Sequence, residues 1–353
     1  MTIEHIETAI IGAGQAGLAT AYHLQRLGRP CLILDGNARV GDSWRFRWDS
    51  LRLYSPAAYD GLPGLPFPGP RWSSPTKDQV ADYLAAYAER FTLPVRTLAR
   101  VDRLEGADGK YVLRLGADRI IADNVVVATG SFGPAPRIPD FALDLDPSIR
   151  QLHSSEYKRP AQLKAGRVLV VGASHSGADI AFEVAPTHPT VLAGRDLGQM
   201  PVRLDHWTTR LWTPIYVFVG MHVLTRRTPI GRKVMKHVRF HPGMPMLRVK
   251  RSDLQARGVE RILDRVTGVQ DGRPLLAGGQ VLEVANVIWC TGFRQVFDWI
   301  DLPIFGAGGW PKERRGVVPA APGLFFCGLP FQYAVVSMLL PGVGRDAAYI
   351  ADQ

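Results

Sequence analysis

The stretch ETAIIGAGQAGLATAYHLQRLGRPCLILD, residues 7–35, decides the fold. An apolar strand runs into a glycine turn, the turn opens an apolar helical pattern that stops at Gly28, and a second strand follows. Gly12, Gly14 and Gly17 spell GxGxxG in the place where the motif has a physical reason. The first glycine makes a tight turn, the second lets a pyrophosphate approach the backbone, and the third lets helix and strand pack closely, with phosphate at the helix N-terminus. Asp35 ends the second strand 18 residues past Gly17, where an acid accepts hydrogen bonds from a ribose diol.

The pattern recurs. RVLVVGASHSGADIAFEVA, residues 167–185, is again strand, turn and helix, with Gly172 and Gly177 in place and Ser174 where the middle glycine stands in the first unit. A serine there still admits a pyrophosphate and adds a hydroxyl, so Ser174 and Ser176 join the two glycines as candidate contacts. The next strand, PTVLAGR, ends in Arg195, 18 residues past Gly177, matching the offset of Asp35. The charge is opposite. An acid suits an unphosphorylated ribose, whereas an arginine fork suits a 2′-phosphate, so unit one reads as an FAD site and unit two as an NADPH site. His175, inside the second turn, reads as exposed loop.

Each unit is followed at similar distance by an apolar strand breaking into Thr-Gly: NVVVATG ends at Gly130 and NVIWCTG at Gly292. A glycine there lets the chain leave a sheet close to a bound cofactor. The expected fold is α/β, two Rossmann-like dinucleotide-binding domains: an FAD domain from residues 1–158 and 286–353, and an inserted NADPH domain over 159–285. Within the insert, a basic, aromatic-rich helical segment is expected at about 200–251.

Composition narrows the alternatives. With 353 residues, 46% hydrophobic and 21% charged, the chain is too apolar for a disordered protein. Its longest apolar run, Leu211 to Thr225, holds fifteen residues including Pro214 and His222, short of the roughly 20 a spanning helix needs. No secretory leader pattern is visible at the N-terminus, which makes cytoplasm the expected location. Cys31, Cys290 and Cys327 are scattered without a CxxC, so they read as buried small hydrophobes, not as redox pairs or metal ligands. Of the net charge of +10, nine units sit in positions 200–260, where twelve Lys/Arg face Asp205, Asp253 and Glu260. No nucleic-acid recognition motif accompanies that charge.

Taken with the GDSWR stretch at 41–45 and the C-terminal GLFFCGLPFQYAVVSMLLPGVGRDAAYIADQ at 323–353, these units resemble the single-component FAD- and NADPH-dependent flavoprotein monooxygenases. That group holds flavin-containing, YUCCA-like and Baeyer-Villiger enzymes, and the nearest likeness is to bacterial CzcO-like proteins. The resemblance implies that Gly41, Trp44 and Arg45 lie along the FAD and that Gly328 holds its pyrophosphate-ribityl end. It implies a flavin C4a-(hydro)peroxide that passes one oxygen atom of O2 to a small organic substrate.

The chain departs from the family at three places. Asp42 replaces a glycine of GGxWR. The inter-domain signature FxGxxxHxxxF/Y/W survives only as His153 and Tyr157, with Pro147 and Ile149 at the other anchors. Tyr54 stands where many relatives carry an asparagine beside the flavin, which makes its hydroxyl the candidate catalytic donor. For the 200–251 segment three readings stay open: walls of the substrate cleft from Trp207, Trp212, Tyr216 and Phe218, a peripheral membrane surface, or a domain or homodimer interface. An NADPH oxidase or reductase, and a flavin-bearing membrane-peripheral regulator, are the alternatives to a monooxygenase.

Overall fold

The computed structural model describes residues 2–353 except 108, 131–134, 202, 204, 205, 241, 242 and 307. Seventeen strands and eight α-helices follow one another among the described residues. In chain order they are β1 (Ile3–Ile11), α1 (Gln15–Arg26), β2 (Cys31–Leu34), α2 (Asp42–Arg45), α3 (Lys77–Arg90), β3 (Val95–Arg96), β4 (Arg103–Ala107), β5 (Lys110–Leu115) and β6 (Asp118–Val127). The middle of the chain holds β7 (Ala135–Pro136), β8 (Arg150–His153), β9 (Val168–Val171), α4 (His175–Val184), β10 (Thr190–Ala193), α5 (Thr209–Phe218), α6 (Pro229–Phe240) and α7 (Arg251–Ala256). The remainder is β11 (Glu260–Ile262), β12 (Val266–Gln270), β13 (Arg273–Leu276), β14 (Asn286–Trp289), β15 (Phe293–Arg294), β16 (Ile300–Asp301), β17 (Leu324–Phe326) and α8 (Leu340–Ala351).

The α/β architecture read from the sequence is what the chain adopts. The first sheet runs β16-β4-β5-β6-β1-β2-β3, with β17 also paired to β6. Parallel pairing of β1 with both β2 and β6 puts the ends of three strands side by side at the first glycine turn. The strand alternates faces, as a pleated strand must. Ile10 joins α1, α3 and α8 in one core, while Ala9 and Ile11 join Leu104, Leu113, Val125 and Phe326 in the core on the other face. Helix α8, from the far end of the sequence, covers α1 through Val343, Ala347 and Ile350.

The second sheet is parallel throughout, in the order β11-β10-β9-β14-β8. All four residues of β9 are buried: Val168 and Val170 pack with α4, whereas Leu169 and Val171 pack with Leu145 and Trp289 on the opposite side. This sheet reaches beyond 159–285 on both sides, because β8 and β14 are two of its strands. The two passages between the sheets then meet: β7, on the way in, pairs antiparallel with β15, on the way out.

Candidate active site

Both glycine turns have the same construction. Gly12 has φ +109° and Gly172 φ +110°, the left-handed region that side chains disfavour. A Cβ on Gly12 would run into the carbonyl of Ala128, and one on Gly172 into that of Cys290. Gly17 and Gly177 are pressed against the carbonyls of Gly12 and Gly172. Gly14 differs, since a Cβ there would meet nothing within 4 Å. Packing among the described residues does not demand a glycine at that position, and α1 brings its unpaired amide N–H groups to the same open place, which fits a ligand laid against the turn.

Asp35 is buried at the end of β2. Its carboxylate accepts from the Ala13 amide at 2.6 Å and from Asn37 N and Nδ2, both at 2.8 Å. It is therefore fixed beside the turn with lone pairs to spare for a ribose. Gly130 and Gly292 have φ +86° and +82° and open space where a Cβ would point, so both Thr-Gly ends leave room for a group beside the backbone. These features fit an FAD at the first turn.

The GDSWR stretch divides its work. Gly41 takes φ +90° and leaves no room for a Cβ against Ala81, while Asp42 begins α2 and is buried. The aspartate is accommodated because the left-handed residue is Gly41, and its carboxylate pairs with Arg45 at 3.1 Å and Arg39 at 3.2 Å. Arg45 also reaches Asp82 at 2.9 Å and the Val40 carbonyl at 2.8 Å, so its guanidinium ties α2 to α3. Trp44 touches the cores of both sheets. Gly328, at φ +88°, closes on Ala16 of α1.

In the second unit Ser174 precedes α4, and its hydroxyl donates to the Met244 carbonyl at 2.8 Å while accepting from the Met244 amide at 3.0 Å. The loop around Met244 thereby lies on the second turn, a contact between residues 70 apart that local pattern does not reveal. Ser176, in the first turn of α4, is half-buried. Arg195 is exposed just past β10 and takes no hydrogen bond or ion pair among the described residues. An arginine in that state is available to a phosphate.

Tyr54 is placed differently from expectation. Its hydroxyl donates to Asp179 Oδ2 at 2.9 Å, and Arg248 donates to the same oxygen at 2.9 Å. Burial raises both the tyrosine and the aspartate, with Arg248 opposing the shift of the acid. A tyrosine has one proton to donate, and here Asp179 holds it. Tyr54 thus joins a loop of the first unit to α4 of the second. His175 is likewise no exposed loop residue: it starts α4 with its ring 5.0 Å from that of Tyr54, and its Nε2 is buried without a partner among the described residues. Burial pulls it down to about 4, which keeps the ring neutral.

His153, fully buried at the end of β8, sits at the joint between the sheets. Its Nε2 is 3.1 Å from the Gly292 carbonyl, its Nδ1 is 2.8 Å from Ser155 Oγ, and its ring meets Phe293 edge-on. Burial lowers its proton affinity, so the neutral ring bonds the backbone at the second Thr-Gly. Asp179, Arg248 and Met244 belong to no motif that the sequence displays. Asp179 alone leaves a signal there, an acid on the apolar face of HSGADIA.

The pyridine nucleotide-disulphide oxidoreductase model matches residues 9–196, which spans the first unit and the second turn up to Arg195. The chain belongs to that family. Within it, the chain is 35% identical to an uncharacterized CzcO-like oxidoreductase of Geobacillus kaustophilus, over 99% of this chain and 98% of the relative. It is 27% identical to a probable indole-3-pyruvate monooxygenase, YUCCA9 of Arabidopsis thaliana, covering 86% and 79%. Among solved structures it resembles the flavin-containing monooxygenase from Stenotrophomonas maltophilia, with TM-score 0.77, 26% identity and coverage of 99% and 98%. This family member is by class a flavin-dependent monooxygenase, an oxidoreductase with two dinucleotide-binding folds.

Proposed function

We propose that the enzyme uses NADPH and O2 to place one oxygen atom on a small organic substrate, with FAD at the first glycine turn and NADPH at the second. One observation carries this reading: two turns of the same construction, followed at equal offset by a buried acid, Asp35, and an exposed arginine, Arg195. FAD, when bound, supplies the oxygen chemistry, in this reading as a flavin C4a-(hydro)peroxide. The chain's own residues bind and orient. Gly14 and the α1 amides take the FAD pyrophosphate, Asp35 its ribose, and Gly41, Trp44, Gly130 and Gly328 line its course, with Arg45 bracing α2 from behind. Ser176 and the α4 amides take the NADPH pyrophosphate, Arg195 the 2′-phosphate, and Gly292 the approach to the flavin, whereas the one proton of the Ser174 hydroxyl is donated to the Met244 carbonyl.

Tyr54 serves as a positioning residue through Asp179, and the His153–Gly292 bond holds the joint across which hydride must pass. The charge of the 200–251 segment suits a peripheral membrane contact better than a homodimer.

Anaerobic mixing with NADPH and with NADH, followed by air in stopped flow, tests the reading. Faster bleaching by NADPH and a transient flavin–oxygen adduct are expected, and Arg195→Gln should raise the NADPH KM by about 10–100-fold while sparing NADH. Retained flavin that neither nucleotide bleaches would overturn it. Hydrogen peroxide in full stoichiometry with every substrate tried would assign an NADPH oxidase instead.

A further inference from the structure

Helix α5 is inside out. Thr209 and Thr213, four residues apart, are buried, whereas Trp207, Leu211, Trp212, Ile215, Tyr216 and Phe218 are between 40% and 64% exposed. An ordinary surface helix does the reverse. These aromatics are turned away from the core and are accessible.

Anchors on both sides of α6 fix this orientation. Gly220 is pressed against Val335 and Val336, the Met221 carbonyl accepts from Arg345 at 2.7 Å, and the Leu224 carbonyl accepts from the Val335 amide at 3.1 Å. Arg226, just before α6, and Arg239, near its end, both pair with the buried Glu313, at 3.0 and 2.7 Å. With the chain anchored just past the C-terminal end of α5 and at both ends of α6, α5 presents a set apolar face.

The charge around that face is one-sided. Residues 206–240 contain seven Lys/Arg and no Asp or Glu. Two of the seven neutralise Glu313, while Arg232, Lys233 and Lys236 stand exposed on α6. Tryptophan and tyrosine favour the headgroup region of a bilayer, where an apolar ring meets lipid and a polar edge meets water. Each nearby Lys or Arg adds about 1 kcal/mol against an anionic leaflet. A second copy is the poorer occupant, since a two-fold contact on this segment brings one basic face against another.

We infer that the α5–α6 segment docks the protein peripherally on an anionic lipid bilayer, with Trp207, Trp212 and Tyr216 at headgroup depth and α6 cations on lipid phosphates. No helix among the described residues is long and apolar enough to cross a membrane, so the contact is one of surface.

Flotation of the flavin-loaded protein with vesicles tests this independently of turnover. Vesicles of phosphatidylcholine with about one third phosphatidylglycerol should capture it at low salt at least about tenfold better than phosphatidylcholine alone. Raising salt should release it. The pairs Trp207→Ser with Trp212→Ser, and Lys233→Glu with Lys236→Glu, should each weaken capture by at least about tenfold while retaining flavin colour and the melting transition. No capture by anionic vesicles at low salt, or capture undiminished in both double variants, would overturn the inference. A dimer in sedimentation that the tryptophan pair dissociates, with no vesicle capture, would assign the face to a second copy.

Discussion

The three glycines of the first turn differ in what they answer to. Gly17 answers to the fold, because any side chain there collides with the Gly12 carbonyl; a Cβ on Gly14 would meet none of the described residues within 4 Å, and in the proposed reading this glycine answers to the ligand. Gly17→Ala should therefore cost several kcal/mol of stability, on the order of an overpacked core, and give little soluble protein. Gly14→Ala should melt near the parent temperature yet purify without flavin, as visible absorbance will show. A second residue-scale effect concerns pH. Asp60 is fully buried, accepts from Ser55 at 2.5 Å, and has no partner for its other oxygen among the described residues. Burial raises it from 3.8 to about 7. The folded chain thus holds a proton that the unfolded chain releases, and this group's contribution to stability falls as pH climbs from about 4 to about 7. Asp60→Asn should add on the order of 1–3 kcal/mol at pH 8 and nothing at pH 4, read from thermal unfolding at both.

At the scale of elements, the sequence is most legible where structure is local. The strand–glycine–helix order of both units and the 18-residue offsets of Asp35 and Arg195 can be read because periodicity and turn chemistry lie within a few residues of one another. The clasp of Tyr54, Asp179 and Arg248 cannot, since its members come from three separated segments and each alone looks ordinary. Burial of Thr209 in place of Trp207 is equally hidden, because an amphipathic pattern tells which residues share a face but not which face turns inward. Glu313 belongs to the same class: nothing around it in the sequence marks it, yet it anchors both ends of α6. Glu313→Gln leaves two arginines facing one neutral amide, and should cost about 3–5 kcal/mol. Limited proteolysis should then cut between Arg226 and Arg239 well before the rest of the chain.

On the scale of the whole molecule, the repeat of Thr-Gly strands at Gly130 and Gly292 reveals two dinucleotide units in one chain. Which strands each sheet owns is not legible, since β8 and β14 join the second sheet through partners far away in sequence. The expected boundaries at 158 and 286 follow the motifs; the hydrogen bonds place Arg150–His153 and Asn286–Trp289 with the second unit. The first sheet also depends on both chain ends, through β17 on β6 and α8 on α1. A chain ending at Met338, without α8, should expose the outer side of α1, lose FAD and bind a hydrophobic dye, while a near-ultraviolet dichroism spectrum shows loss of fixed aromatic packing.

That dependence sets an order of assembly on the ribosome. The five parallel strands of the second sheet have all been made once Trp289 has emerged, whereas β1, although made before them, waits for β17 and α8, which follow later in the chain. The second unit can thus take shape while the first is still open, and the first glycine turn gains its covering helix only once α8 has emerged.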